Sequence, residues 1–286
     1  MKPFTYLRPA SAAEAAGALT EHNGDARVIA GGQTLLLAMK DRLERPSVLV
    51  SLQEVPQVRG VSYADSGALT IGAATTYWQL QSSSLNGGHR LLSSVAGDVA
   101  DVPVRRMGTV GGALCHADPV FDFPVAALVG DAELELTSTD GNRRLAMSDF
   151  LRGPYATGRE PGEVLTKIHF PAAEPSARFA FVKHRLRRFD SALVSVACLL
   201  SIDGGKVARA RIACGAVGPV PLRLSAAEDV VAGQEPAAEL FREAGLKAAE
   251  GIELRPTTPV IAQEYKRDVL PAIVARALQA AVNGKE

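Results

Sequence analysis

Two glycine pairs constrain this chain more than any other feature: Ala30-Gly31-Gly32-Gln33-Thr34-Leu35-Leu36 and Gly108-Thr109-Val110-Gly111-Gly112-Ala113-Leu114. Each follows a segment that reads as extended. Lacking a Cβ, glycine lets the backbone enter φ > 0 and lets an anion approach successive N–H groups without steric conflict. A hydroxyl stands beside each pair, Thr34 and Thr109, and can donate to a phosphate oxygen. Neither segment fits G-x-G-x-x-G or a lysine-bearing P-loop, so an ordinary dinucleotide fold and an ATPase are both unsupported. The pattern predicts one diphosphate held from two sides.

The segments around the turns read as a mixture of helices and strands. Ser11-Ala12-Ala13-Glu14 has the capping-box pattern, and Asn23-Gly24 marks the end of a helix over about 11–22. Ala26–Ala30 and Val48–Leu52 read as buried strands flanking a short helix at Thr34–Lys40. Further strands are expected at 68–73, 131–137 and 164–170, with Thr75 as N-cap of a helix from Tyr77 and apolar helical spacing over 89–99. Asp203-Gly204-Gly205 joins two strands, 191–202 and 206–213, as a hairpin. Helices follow at 226–232, 236–249 and 264–282. Boundaries at Glu54-Val55-Pro56 and in the proline-bracketed stretch 171–176 divide the chain into units of 1–56, 57–175 and 176–286.

Composition removes several classes of function. Thirty-one Lys and Arg balance thirty-one Asp and Glu, so no net field recruits nucleic acid or an anionic membrane. The first residues lack an apolar signal core, and no stretch approaches the ~20 apolar residues of a membrane span. A cytoplasmic location is expected. Cys115, Cys198 and Cys214 lack the spacing of a zinc or iron–sulfur site, and the five histidines lack metal spacing. No residue is assigned as a metal ligand or as catalytic.

The first turn running into Met39-Lys40, the second running into His116-Ala117-Asp118-Pro119, and Phe181-Val182-Lys183-His184-Arg185 through Arg188, Asp190 and Ala192-Leu193-Val194 together resemble one family. It is the FAD-binding medium subunit of the molybdenum hydroxylases, which include aerobic carbon monoxide dehydrogenase, bacterial xanthine dehydrogenase and several N-heterocycle dehydrogenases. The resemblance covers essentially the whole chain. It implies an α+β protein with an FAD-binding fold of the p-cresol methylhydroxylase type, in which two α/β subdomains enclose FAD. A C-terminal α+β domain like that of the carbon monoxide dehydrogenase flavoprotein completes it.

Position by position, the resemblance implies that Ile29, Ala30, Gly31, Gly32, Gln33, Thr34, Leu35 and Leu36, with Gly108, Thr109, Val110, Gly111, Gly112 and Ala113, contact the diphosphate and ribityl chain through backbone and hydroxyl groups. Asp122 matches a carboxylate contact to the flavin region, and Leu165 and Lys183 match contacts near the isoalloxazine ring. Val99 and Ala100 join them through their distance from the second turn. Ala113 departs from the family's usual asparagine, a loss of about 1 kcal/mol at the usual net value of one hydrogen bond. Two readings stand for Lys183: a charge that stabilises reduced flavin, or a surface cation in the run with Arg185, Arg187 and Arg188. Arg105 and Arg106 either hold an outer phosphate or face a partner.

The implied function is oxidoreductase electron transfer. Electrons pass from two [2Fe–2S] clusters in a small subunit through FAD to an external acceptor, while a large subunit carries molybdopterin. A dimer of heterotrimers is the implied assembly. Two alternatives remain: a scaffold subunit that has lost its flavin, favoured by Ala113, and a stand-alone flavin oxidase.

Overall fold

The computed structural model describes residues 2–254 and 262–284. Its first unit is built on a parallel three-stranded sheet. β1 (Thr5–Leu7), α1 (Ala12–Glu21), β2 (Ala26–Ile29), α2 (Leu35–Lys40) and β3 (Val48–Ser51) follow in order, with the wholly buried β3 between β1 and β2. The central place of β3 follows from its apolar Val-Leu-Val run, as expected of a parallel strand covered on both faces. The N-cap of α1 is as the sequence predicts, with Ser11 Oγ accepting from Glu14 N at 3.1 Å and Glu14 Oε2 from Ala10 N at 2.9 Å. Its alanine face, Ala12, Ala15 and Ala16 with Leu19, packs on β2 and β3 in a small core of its own.

The second unit runs β4 (Val61–Tyr63), β5 (Leu69–Gly72), α3 (Tyr77–Gln81), α4 (Arg90–Asp98), α5 (Val102–Met107), α6 (Val110–His116), α7 (Phe123–Val129), β6 (Glu133–Ser138), β7 (Gly141–Ala146), α8 (Met147–Phe150), β8 (Leu151–Gly153), β9 (Ala156–Thr157) and β10 (Val164–Phe170). Its antiparallel sheet has the order β4-β5-β10-β6-β7. Leu69, Ile71, Leu134, Leu136 and Phe170 face the helices and meet Leu91, Val95, Val110, Leu114 and Phe123 in the main core. Two local expectations are corrected. Thr76, not Thr75, caps α3, because the capping box needs Gln79 three residues on. The second glycine pair does not follow a strand: helix α5 precedes it, and Gly111 and Gly112 lie inside α6, capped by Thr109.

The third unit is β11 (Arg178–His184), β12 (Val194–Asp203), β13 (Lys206–Gly215), β14 (Leu222–Arg223), α9 (Ser225–Val231), α10 (Ala238–Ala249) and α11 (Gln263–Asn283). Its antiparallel sheet keeps that order, and Gly204 and Gly205 turn the β12–β13 hairpin at φ +55° and +79°. Strand alternation sorts its faces. Val194, Val196, Cys198 and Leu200 meet α9–α11, whereas Ala197, Leu199 and Phe179 join the core of the second unit. Ser195 and Lys183 share this second face.

Charge crosses the seam between these two units in one direction. Lys183, Arg185, Arg209, Arg211 and Arg223 reach from the third unit to Asp122, Asp98 and Asp131 of the second. Burial pushes the Asp131 carboxyl up, but hydrogen bonds from Arg211 (2.7 Å) and Arg223 (2.9 Å) outweigh it and hold the group below the ordinary aspartate value. Its contribution to stability is therefore present above the unfolded aspartate pKa and is lost as the pH falls through the depressed folded one. Asp131→Asn, which tolerates the left-handed φ of 51° at this position, is expected to cost about 1 kcal/mol at pH 7, a modest sum because solvent screens partly exposed partners. Urea unfolding should show the gap between wild type and variant at pH 7 and its disappearance well below pH ~4.

Candidate functional site

The two glycine turns touch. A Cβ built on Gly31 would lie 2.1 Å from Met107 O and 2.9 Å from Gly108 Cα, so the first turn packs its bare backbone against the entry to the second. The second turn is pinned in turn to α3, with Tyr77 N donating to Gly108 O and Val110 N to Thr75 O, both at 3.0 Å. Only glycine at position 31 permits this approach.

The first turn offers donors. Gly32 sits at φ +69°, and among the described residues no protein group accepts from the backbone N–H groups of Gly31, Gly32, Gln33, Thr34 or Leu35. Thr34 caps α2 without a side-chain hydrogen bond. The run from Ile29 through Leu36 is half-buried throughout, neither sealed in the core nor fully in solvent. A strip of unanswered donors has the chemistry of an anion cradle.

The second turn contributes differently from the expectation. Val110 N donates to Thr75 O, Gly111 N to Ala73 O at 2.8 Å, Gly112 N to Thr109 Oγ1 at 3.1 Å and Ala113 N to Thr109 O at 3.1 Å. The expected donation of these four amides to a ligand is thereby corrected, because each already has a protein acceptor. Gly111 serves packing: its Cβ would lie 2.5 Å from Ala73 Cβ. Gly112, by contrast, is exposed among buried neighbours, and its Cβ would meet only Thr109 Oγ1. Thr109 accepts from Gly112 and keeps its hydroxyl proton to donate. Ala113 is buried in the core, without the polar group that an asparagine would supply.

Val99 and Ala100 are half-buried, and Ala100 takes a left-handed φ of 41°. Arg105 holds them there, donating from Nη1 to Val99 O (3.0 Å) and Ala100 O (2.8 Å). The sequence reading of Arg105 as a phosphate or partner contact misses this, since nothing in the spacing announces a buried arginine that shapes the backbone. Arg106 stacks over the Trp78 ring at 4.5 Å. Leu165 is buried where β10 shifts register against β6.

Lys183 is no surface cation. Its ammonium lies 2.6 Å from Asp122 Oδ2, and the two side chains are only 3% and 5% exposed. Among the described residues Asp122 Oδ1 has no partner, nor has Ser195 Oγ, whose residue pairs directly with Lys183 across β11 and β12. Burial pushes the Asp122 carboxyl up to about 6 against the lowering pull of Lys183. Elsewhere burial raises the Cys115 thiol to about 11, which makes it inert. Burial also lowers His116, which packs between the rings of Phe121 and Tyr155.

Comparisons with known proteins identify relatives along the whole chain. Residues 2–173 match the FAD binding domain in molybdopterin dehydrogenase, and residues 179–281 match the CO dehydrogenase flavoprotein C-terminal domain. The chain is 35% identical over 231 residues to the carbon monoxide dehydrogenase medium chain of Afipia carboxidovorans, covering 80% of each protein. It is 30% identical to the 6-hydroxypseudooxynicotine dehydrogenase complex subunit alpha of Paenarthrobacter nicotinovorans, covering 99% of this chain and 96% of that one. Among solved structures, carbon monoxide dehydrogenase from Hydrogenophaga pseudoflava superposes with a TM-score of 0.95 at 32% identity, covering 99% of this chain and 98% of that one. Quinoline 2-oxidoreductase from Pseudomonas putida 86 superposes with a TM-score of 0.93 at 33% identity, covering 100% and 99%.

The contact of the turns is testable by adding one methyl group. Gly31→Ala is expected to destabilise the protein by about 1–3 kcal/mol, since backbone must move to admit it. Gly17→Ala, in α1 with nothing within 4 Å of the new Cβ, is expected to stabilise it by about 0.5–1 kcal/mol. Thermal unfolding of the two variants side by side checks both signs.

Proposed function

The chain belongs to the family of FAD-binding medium subunits of molybdenum hydroxylase complexes, and from that premise we propose that it is the electron-transfer flavoprotein of such a complex. It takes electrons from the [2Fe–2S] clusters of a small subunit and passes them to an external acceptor, while a large molybdopterin subunit oxidises the organic substrate. A dimer of heterotrimers in the cytoplasm is part of this reading; among the described residues no helix is long and apolar enough to cross a membrane. The units 1–56 and 57–175 hold the cofactor and 176–286 closes on them.

The observation that carries the reading is the row of unanswered N–H groups at Gly31–Leu35, in a turn whose Gly31 packs against Met107 and Gly108 at the entry to the second turn, where Gly112 is exposed. A diphosphate bears about two negative charges, and amide donors to a charged acceptor form hydrogen bonds roughly twice as strong as neutral ones. No lysine is needed there. The Thr34 and Thr109 hydroxyls add donors, and in this reading Val99, Ala100, Leu165, Asp122 and Lys183 complete the cofactor contacts. Bound FAD supplies a couple that exchanges one or two electrons. The protein's part is to grip the diphosphate, exclude water and set the charge around the ring. A flavin-free scaffold is the second reading, favoured by Ala113 alone.

Gly112→Asp separates them. A carboxylate at the third residue of α6 suits the helix N-terminus, and its Cβ, 2.7 Å from Thr109 Oγ1, displaces a side-chain hydroxyl and no backbone, so the fold should hold while the new charge opposes the diphosphate. The purified wild type is expected to show a flavin absorption spectrum with close to one FAD released by acid, and the variant less than a tenth of it with unchanged circular dichroism. A colourless wild type favours the scaffold. Gly111→Asp is a poor probe, because it strikes Ala73 and would unfold the turn.

A further inference from the structure

A cavity of about 290 Å³ opens where the linker between the second and third units crosses their seam, and none of its lining residues belongs to the cofactor reading. Strand register builds its floor. Across β12 and β13, Ser201 pairs with Arg209 and Leu199 with Arg211, so these four side chains share one face of the third unit's sheet. Asp131 of the second unit meets them there. The linker between β10 and β11 supplies the remaining wall, and it is held in place: His89 Nε2 donates to Pro171 O at 2.9 Å, and a Cβ on Gly87 would lie 2.6 Å from Glu174 O. The volume stands at the lower end of the ~300–1,000 Å³ usual for small-molecule sites.

Charge on this face is unbalanced. Three guanidiniums meet the Asp131 carboxylate, those of Arg211 at 2.7 Å, Arg223 at 2.9 Å and Arg209 at 3.5 Å, and the second carboxylate of the group, Glu228, is taken by Arg223. One positive charge is left over. Arg209 and Arg211 make no other hydrogen bond among the described residues, so most of their N–H groups are uncommitted where they line the cavity. Glu174, the remaining charged lining residue, is exposed, and water screens its opposition to an anion. Leu199, Pro171 and Ala172 place apolar surface beside these donors.

We propose that this cavity binds a small organic carboxylate with a flat apolar body, its charge held by Arg209 and Arg211 and its body lying on Leu199 and Pro171. A guanidinium fork matches a carboxylate edge to edge, and two forks two residues apart on one strand present their donors from one side. The Ser201 hydroxyl, across from Arg209, adds a further donor. Asp131 competes for the same forks, so the ligand shares Arg209 and Arg211 with it, while Arg223 keeps its hold on both Asp131 and Glu228. Because the walls come from both units, the ligand binds only their joined arrangement and stabilises the seam. Occupancy is independent of FAD.

Isothermal titration of the purified protein at constant ionic strength, with benzoate as the probe, tests the site. Saturable binding of one benzoate per chain is expected, with the flavin absorption spectrum unchanged and with acetate, which lacks the ring, bound roughly tenfold more weakly. Arg209→Gln removes an exposed fork and leaves the two shorter contacts of Asp131 in place, so it should fold as wild type does and bind benzoate roughly tenfold more weakly. Asp131→Asn removes the competing charge and should bind benzoate more tightly than wild type. Opposite signs in the two variants support shared forks, which a general loosening of the seam would not produce. Wild type that fails to saturate with benzoate, or that saturates with inorganic phosphate alone, overturns the proposal. So does Arg209→Gln that binds benzoate as tightly as wild type. Each of these outcomes leaves the flavin content, and with it the FAD reading, untouched.

Discussion

The contact of Gly31 with the backbone of Met107 and Gly108 is the constraint on which the site depends. It joins a turn from a parallel βαβ unit to a turn from an antiparallel one, and neither side can yield, because backbone faces backbone. With the first turn held there, its N–H groups face away from the protein that would otherwise satisfy them. The division of labour follows: the second turn uses its own amides to stay rigid, and the first keeps its amides free because the second supports it. A rigid donor row needs little reorganisation to meet an anion.

Much of the scaffold was legible because local chemistry and tertiary demand agree. Ser11 with Glu14 marks the start of α1, Asp203-Gly204-Gly205 marks the β12–β13 hairpin, and the Val-Leu-Val of β3 reads as buried. Helices α5, α6 and α7 were not legible. They are six or seven residues long, and one carries a glycine pair in its first turn, so neither periodicity nor propensity reports them. Packing decides them instead, α5 against α3, α6 against α7 and β10, and α7 against α4, β12 and β13. The same reason explains why Gly111 reads as a ligand contact: a glycine demanded by an anion and a glycine demanded by Ala73 look alike in one dimension.

The charged residues show the converse limit. In sequence, Lys183, Arg185, Arg187 and Arg188 form a basic run that suggests a solvated face. Strand alternation and the turn after β11 send Lys183 and Arg185 into the seam, where carboxylates meet them from a distance of about sixty to ninety positions along the chain. Arg105 is the same case on a smaller scale, a cation buried to hold two carbonyls. Long-range pairing of this kind leaves no local pattern.

Why the seam uses ions at all has a physical answer in its polarity. Two apolar faces of equal shape would bind at least as well, since desolvation offsets much of the Coulomb gain of a buried pair. An apolar seam, however, tolerates sliding, whereas a carboxylate that accepts from a fixed ammonium tolerates almost none. In the seam pairs named above the cations lie on the third unit and the carboxylates on the second, and a displaced register leaves the buried charges of Lys183 and Asp122 uncompensated in a dry interior. The arrangement thus fixes one position of the third unit against the second. In that position the seam encloses an orphaned carboxylate oxygen and a buried ammonium. Geometry that an apolar contact would leave loose is thereby tied to the electrostatics of the site.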